Sequence, residues 1–143
     1  MSYLVKDYMV MDFPKVEDKV SSIEAARIMI ASSRGFLIIL KEGHPTGIVT
    51  EHDFVEKIIT REREPAKVLV GEIMSSPMIT IDPDADLLRA SELMQRNKIR
   101  RLPVMKDGII YGVLTTREIS QRVGEYVDRS IRDIMRWASP FGR

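Results

Sequence analysis

Residues 5–58 and 70–123 are two copies of one pattern, related without gaps by an offset of 65 positions. A repeat of this length constrains the fold more than composition does, because each copy is one structural unit that must bury its apolar face against another. Nine of the 54 paired positions are identical: Val5/Val70, Met9/Met74, Ala25/Ala90, Met29/Met94, Leu37/Leu102, Lys41/Lys106, Gly43/Gly108, Gly47/Gly112 and Thr50/Thr115. Pairs such as Asp7/Glu72, Val16/Ile81, Ile48/Val113 and Asp53/Glu118 are conservative, and the apolar pattern is kept throughout. The lead segment returns a third time. Val5-Lys6-Asp7-Tyr8-Met9 and Val70-Gly71-Glu72-Ile73-Met74 are echoed by Ile131-Arg132-Asp133-Ile134-Met135, a partial third copy.

Each copy reads as β-α-β-β-α. Met78-Ile79-Thr80-Ile81 predicts a short strand closed by Asp82-Pro83, and a helix follows from about Asp86 to Asn97. Leu87, Ala90 and Met94 share one face of it, as Ser22, Ala25 and Met29 do in the first copy. Phe36–Leu40 and Leu102–Met105 are apolar strands. The turns Glu42-Gly43 and Asp107-Gly108 reverse the chain, with glycine accepting positive φ. Return strands run through Gly47–Val49 and Tyr111–Leu114, and a second helix starts after Thr50 or Thr115. A single copy of about 55 residues exposes too much apolar surface to be stable alone, so the fold class is α/β (α+β), a tandem pair packed sheet to sheet. The expected domains are 1–65, including the charged linker Arg61–Pro65, then 66–126, and a tail over 127–143.

Composition narrows the function. The 22 basic and 21 acidic residues nearly cancel to a net charge of +1, which gives no global attraction to nucleic acid or membrane. There are no cysteines, hence no disulfide framework, thiolate metal site or cysteine nucleophile. The longest apolar run, Phe36–Leu40, is too short to span a bilayer, and a cytoplasmic protein is expected. His44 and His52 lack partners at metal spacing, so no metal is expected. No nucleophile–base arrangement or phosphate loop of the G-x-x-x-x-G-K-[ST] type is present, and no enzymatic activity is expected.

The ordered set Ile99-Arg100-Arg101-Leu102-Pro103-Val104, Asp107-Gly108 and Gly112-Val113-Leu114-Thr115-Thr116-Arg117-Glu118-Ile119 resembles the CBS (cystathionine-β-synthase) domain family. The first copy supplies Gly47-Ile48-Val49-Thr50-Glu51-His52-Asp53-Phe54. The resemblance spans roughly residues 5–124. It implies a pseudo-two-fold pair with two clefts for adenosine ligands, AMP, ADP or ATP ahead of S-adenosylmethionine, and association as a homodimer. It also implies regulation of an unidentified effector protein.

Thr50-x-x-Asp53 and Thr115-x-x-Glu118 stand where strand becomes helix. Free N–H groups there suit a phosphate, and a carboxylate can accept from ribose hydroxyls. The same spacing is also a capping box that needs no ligand. The family uses Asp for ribose at this place, which favours Asp53; Glu118 is one methylene longer and fits capping better. The resemblance gives Arg100 and Arg101 to phosphate, which suits their planar guanidinium forks. Two exposed charges at a strand entrance are the plainer alternative. The first copy has Gly35 and Phe36 at these positions, and Lys15 where the second has Thr80. The family pattern builds a cleft from the first strand of one copy and the Thr-x-x-acid of the other. One expected cleft therefore combines Thr50, Asp53, Thr80, Arg100 and Arg101, with Ile48, Ile79, Leu102 and Pro103 as apolar walls. A weaker one uses Thr115, Glu118, Lys15 and Phe36.

Two other functions stay open. One is a purely structural homodimer with vestigial clefts, whose apolar stripes would carry Phe54 and Ile58, and Ile119 and Val123. The other is nucleic-acid binding through Arg129, Arg132, Arg136, Trp137 and Arg143, which Asp128 and Asp133 dilute; nucleic acid is not the expected partner.

Overall fold

The computed structural model describes residues 3–123 and residue 136. These fall into two compact units, one of residues 13–78 and one joining 3–12 to the described part of 79–143.

In the unit of residues 13–78, β1 (Lys15–Glu17) lies parallel to β2 (Phe36–Lys41), which pairs antiparallel with β3 (His44–Thr50). Helix α1 (Ser22–Ser32) connects β1 to β2. Ser21 caps it, accepting from the Glu24 N–H at 3.3 Å, and Ser33 ends it in the left-handed region at φ 57°. Its buried face carries Ser22, Ala25 and Met29, the periodicity expected. Ala25 and Met29 pack in one core with Leu37, Ile39 and Val49 of the sheet. Helix α2 (Glu51–Phe54) continues into a π-helical turn over Val55–Ile59.

The second unit repeats the plan with α3 (Leu87–Asn97), the antiparallel pair β4 (Arg101–Lys106) and β5 (Ile109–Thr115), and α4 (Thr116–Val123). Asp86 caps α3 through the Leu88 N–H at 2.7 Å. Leu87, Ala90 and Met94 are buried, with Ser91 beside them. Both hairpin turns place two consecutive residues at positive φ, Glu42-Gly43 and Asp107-Gly108.

The strand expected at Met78–Ile81 is reduced to one parallel bridge, Ile81 to Val104. The cause is proline. In the first copy the ladder is flanked by the Ile38 N–H donating to the Pro14 carbonyl (3.0 Å) and the Asp18 N–H donating to the Leu40 carbonyl (2.8 Å). The corresponding donors, 65 positions on, are Pro103 and Pro83, which have no N–H. Only the central bonds survive, Ile81 N–H to the Pro103 carbonyl and Met105 N–H to the Ile81 carbonyl.

The compact units also divide the chain differently from the expected 1–65 and 66–126, because the lead segments are crossed. Val5, fully buried, sits in the core made by Leu87, Met94, Leu102 and Leu114 of the second copy. Val70 and Ile73 sit in the core of the first. The hydrogen bonds match pair for pair. Val5 N–H donates to the Ala85 carbonyl (2.9 Å) as Val70 N–H does to that of Val20 (2.8 Å). Leu87 N–H donates to the Tyr3 carbonyl as Ser22 N–H does to that of Val68. Val10 and Val113 exchange two bonds, as Ser75 and Ile48 do. Repetition tells what each segment is made of but not which copy receives it. Apart from Arg136, which is helical and exposed, the tail of 127–143 and its third lead segment lie outside the described residues.

Candidate functional site

In the first copy the strand-to-helix corner is closed by its own side chains. Asp53 is buried at the start of α2. Its Oδ2 accepts from the Thr50 N–H at 2.8 Å and from the Thr50 hydroxyl at 3.4 Å. Its Oδ1 lies 2.9 Å from Lys57 Nζ, one helical turn on. The same ammonium donates to the Ile73 carbonyl at 2.9 Å. Both carboxylate oxygens are thus engaged, and the capping half of the sequence reading is fulfilled. Lys57 is the residue that sequence reasoning missed. The Asp-x-x-x-Lys spacing was the signal available for it.

The second copy closes its corner the other way round. The Thr115 hydroxyl accepts from the Glu118 N–H at 3.1 Å. Thr116, buried, donates its N–H to the Arg100 carbonyl at 3.0 Å, fixing the approach to β4. Among the described residues, the one buried side-chain nitrogen or oxygen with no hydrogen-bond partner is Nη2 of Arg100. Arg101 follows at the first position of β4, half-buried and paired in register with Thr115.

The remaining candidates divide by exposure. Thr80 and Ile79 are exposed, and Ile48 is half-buried on β3 beside Gly47. Leu102 is fully buried in the core of its unit, and Pro103 is buried next to it on β4. Phe36 is likewise fully buried. Lys15 is exposed, its Nζ 5.6 Å from the centre of the Phe13 ring. Ile58 and Ile119, expected on an outer stripe, are core residues at 1% and 2% exposure. The π-helical turn carries Val55 and Ile59 to the outside instead, at 49% and 65%. Among the described residues no group of three or more His, Cys, Asp or Glu is placed to hold a metal ion. Nor is any helix among them long and apolar enough to cross a membrane.

A doubled strand–helix–hairpin–helix unit, with a Thr-x-x-acid pair at each strand-to-helix corner, defines a class of tandem-repeat α+β proteins. The CBS domain family model matches residues 5–60 and again 70–125, and the chain belongs to that family. An uncharacterized protein of Methanopyrus kandleri is 35% identical over 118 residues, covering 81% of this chain and 60% of its own length. The chain therefore spans little more than half of that relative. A CBS domain protein of unknown function from Thermoplasma acidophilum has the same fold, with a TM-score of 0.83 at 21% identity, covering 96% of this chain and 76% of that one. A CBS domain pair solved with 5′-methylthioadenosine and S-adenosyl-L-methionine matches with a TM-score of 0.79 at 27% identity. That match covers 89% of this chain and all of the other.

Proposed function

We propose that this chain is a non-catalytic regulatory module that binds an adenosine nucleotide, AMP, ADP or ATP, and acts in the cytoplasm on a separate protein. The observation that carries the reading is the buried, unpartnered Nη2 of Arg100. A buried donor without an acceptor costs about 1–3 kcal/mol, and a structural role would have given it a partner. A phosphate oxygen supplies one in the geometry a guanidinium prefers. The adenosine ligands of the solved pair, 5′-methylthioadenosine and S-adenosyl-L-methionine, carry no phosphate, so it is Arg100 that turns the reading toward nucleotides. Asp53 is the ribose acceptor in this reading and exchanges Lys57 for the sugar hydroxyls. Arg101, Thr80, Thr50 and the half-buried Ile48 are further ligand contacts, with Thr115, Glu118 and Lys15 at a weaker second site. Calorimetric titration with AMP, ADP, ATP and S-adenosylmethionine side by side tests it. The nucleotides should bind and lose at least tenfold in affinity on Arg100→Met. Binding of S-adenosylmethionine alone, or indifference to Arg100→Met, overturns the phosphate reading.

A structural role is favoured by the closed state of Asp53, whose two oxygens are satisfied with no ligand at all. If no adenosine ligand binds and Asp53→Ala lowers only the melting temperature, that reading replaces the first. Homodimerisation belongs to both. Val55 and Ile59, not Phe54 and Ile58, offer the apolar surface, and sedimentation of Ile59→Glu at tens of micromolar tests it against the parent chain. Steady release of phosphate from a nucleotide, lost on Asp53→Ala, would contradict the absence of catalysis.

A further inference from the structure

The second lead segment is tied to the first copy along the whole of its contact with β3. Ser75 and Ile48 exchange two backbone bonds, at 2.9 and 3.2 Å, and the Ser76 hydroxyl donates to the Thr46 carbonyl at 2.9 Å. Met74 is notched into the strand, since a Cβ at Gly47 would stand 2.5 Å from its Sδ. Ile73 is fully buried, in the same core as Ile58. The strand that carries these ties ends at Thr50, beside Asp53. Lys57 adds a tie of another kind. Its ammonium donates to the Ile73 carbonyl at 2.9 Å, and its second partner, 2.9 Å away, is Oδ1 of Asp53.

Asp53 has one oxygen to offer a ligand. Its Oδ2 accepts from the Thr50 N–H at 2.8 Å and from the Thr50 hydroxyl at 3.4 Å. Ribose hydroxyls therefore come to Oδ1, where the ammonium stands. The Lys57 side chain is only 25% exposed in that position. Without the carboxylate, an ammonium so placed has one neutral acceptor, and its desolvation is uncompensated. It leaves for solvent, a move that its flexible stem permits. The π-helical turn that carries it is closed by the Thr60 N–H on the Val55 carbonyl at 3.0 Å, so the side chain can leave without unwinding the turn. The Ile73 carbonyl then loses its charged donor. That loss falls on a buried residue, where a missing hydrogen bond weighs most.

We propose that ligand binding at Asp53 is signalled to the second lead segment through Lys57: the ribose releases the ammonium, and its departure loosens residues 73–76. The proposal rests on the reading of Asp53 as ribose acceptor. Ser75, Ser76 and Pro77 are exposed, which puts the change where a partner protein can read it. The linkage is reciprocal, so whatever draws Lys57 off Asp53 strengthens nucleotide binding.

Amide hydrogen exchange on the full chain tests this, with whichever of AMP, ADP and ATP binds most tightly in calorimetry. A ligand ordinarily slows exchange throughout a domain, because it stabilises the folded state. Here the Ser75 amide, bonded to Ile48, and the Ile73 amide, bonded to the Val70 carbonyl, should exchange about fivefold faster at saturation, the low end of coupling between linked sites. Amides of α1 should slow or stay unchanged. Lys57→Met should bind nucleotide at least as tightly as the parent and lose the acceleration. Slowed or unchanged exchange at Ile73 and Ser75 in the parent, with affinity that falls on Asp53→Ala, overturns the coupling and leaves the ribose reading standing. Acceleration that persists in Lys57→Met assigns the signal to the Ile48–Ser75 bridge and overturns the role of Lys57. Absence of binding, or binding indifferent to Asp53→Ala, overturns both readings. The parent with and without nucleotide decides the coupling even if Lys57→Met fails to fold.

Discussion

Lys57 binds two partners at once, standing 2.9 Å from Asp53 Oδ1 and 2.9 Å from the carbonyl oxygen of Ile73. One ammonium ties the candidate ribose acceptor to the lead segment seated on the same unit. Ligand hydroxyls reaching Asp53 must displace it. Lys57→Met should lower stability by about 1–3 kcal/mol, since it leaves a nearly buried carboxylate with one partner fewer. It should not weaken nucleotide binding, because the ligand no longer competes with the ammonium. A urea melt and a calorimetric titration of the same variant separate the two effects, and parallel losses in both would remove Lys57 from the ligand's path.

The two corners should respond differently to truncation. Asp53→Ala should weaken nucleotide binding by about 10- to 150-fold, the value of charge-assisted bonds worth roughly 1.5–3 kcal/mol. Glu118→Ala should leave the affinity of the stronger site unchanged. Abolished binding in Glu118→Ala with full binding in Asp53→Ala would exchange the assignments.

Gly47 and Gly112 should both resist alanine, at a cost of about 1–3 kcal/mol, but only one should be rescued. At Gly47 the nearest atoms to an added Cβ belong to the Met74 side chain, with the Ser75 carbonyl oxygen at 3.0 Å. Met74→Ala should therefore recover part of the loss in Gly47→Ala. At Gly112 the nearest atom is the Val10 carbonyl oxygen, 2.7 Å away, and backbone does not yield. Met9→Ala should leave Gly112→Ala unrelieved. Equal rescue in thermal melts would contradict the geometry.

The pair Lys6–Asp84 fastens the first lead segment in a pH-dependent way. The hydrogen bond and charge of Lys6, with a smaller contribution from Lys106, hold the Asp84 carboxyl below its ordinary 3.8. Its contribution is present above that value and disappears as pH falls through the lower folded value. Asp84 in turn raises Lys6 above 10.5, so the lysine's share is complete below 10.5 and lost as pH climbs past its folded value. An NMR titration should find the Asp84 midpoint below 3.8 in the parent and closer to it in Lys6→Met. An unchanged midpoint would mean the pair is not formed in solution.

Most of the secondary structure was legible because it rests on local chemistry. The periodicity of Ala25, Met29, Ala90 and Met94 marked the helix faces, and Gly43 and Gly108 marked the turns. Pro83 and Pro103 were equally visible, yet their effect on the strand at Ile81 depends on which N–H groups face which carbonyls. That is a property of the ladder and not of the run of residues. The outer stripe expected at Phe54, Ile58 and Ile119 faces inward because apolar spacing does not say which side of a helix meets the core. Ile119, on the regular helix α4, is as buried as Ile58, while the wider turn over Val55–Ile59 leaves Val55 and Ile59 outside. At the corners the Thr-x-x-acid spacing was seen. The third member, Lys57, was not, because its value lies in the Ile73 carbonyl, which only the crossed lead segment brings near.

That crossing has a consequence for how such a chain can be cut or inherited. The stretch that was duplicated runs from one lead segment to the next, but the stretch that is buried together does not. Residues 1–65 made alone would carry Val5 and Met9 without the Gly112 strand that receives them, and would leave the Gly47 notch empty of Met74. Neither repeat is a transferable cassette. A recombination joint placed at the repeat boundary would mismatch methionine and notch on both sides, whereas joints near residues 12 and 78 keep each with its own.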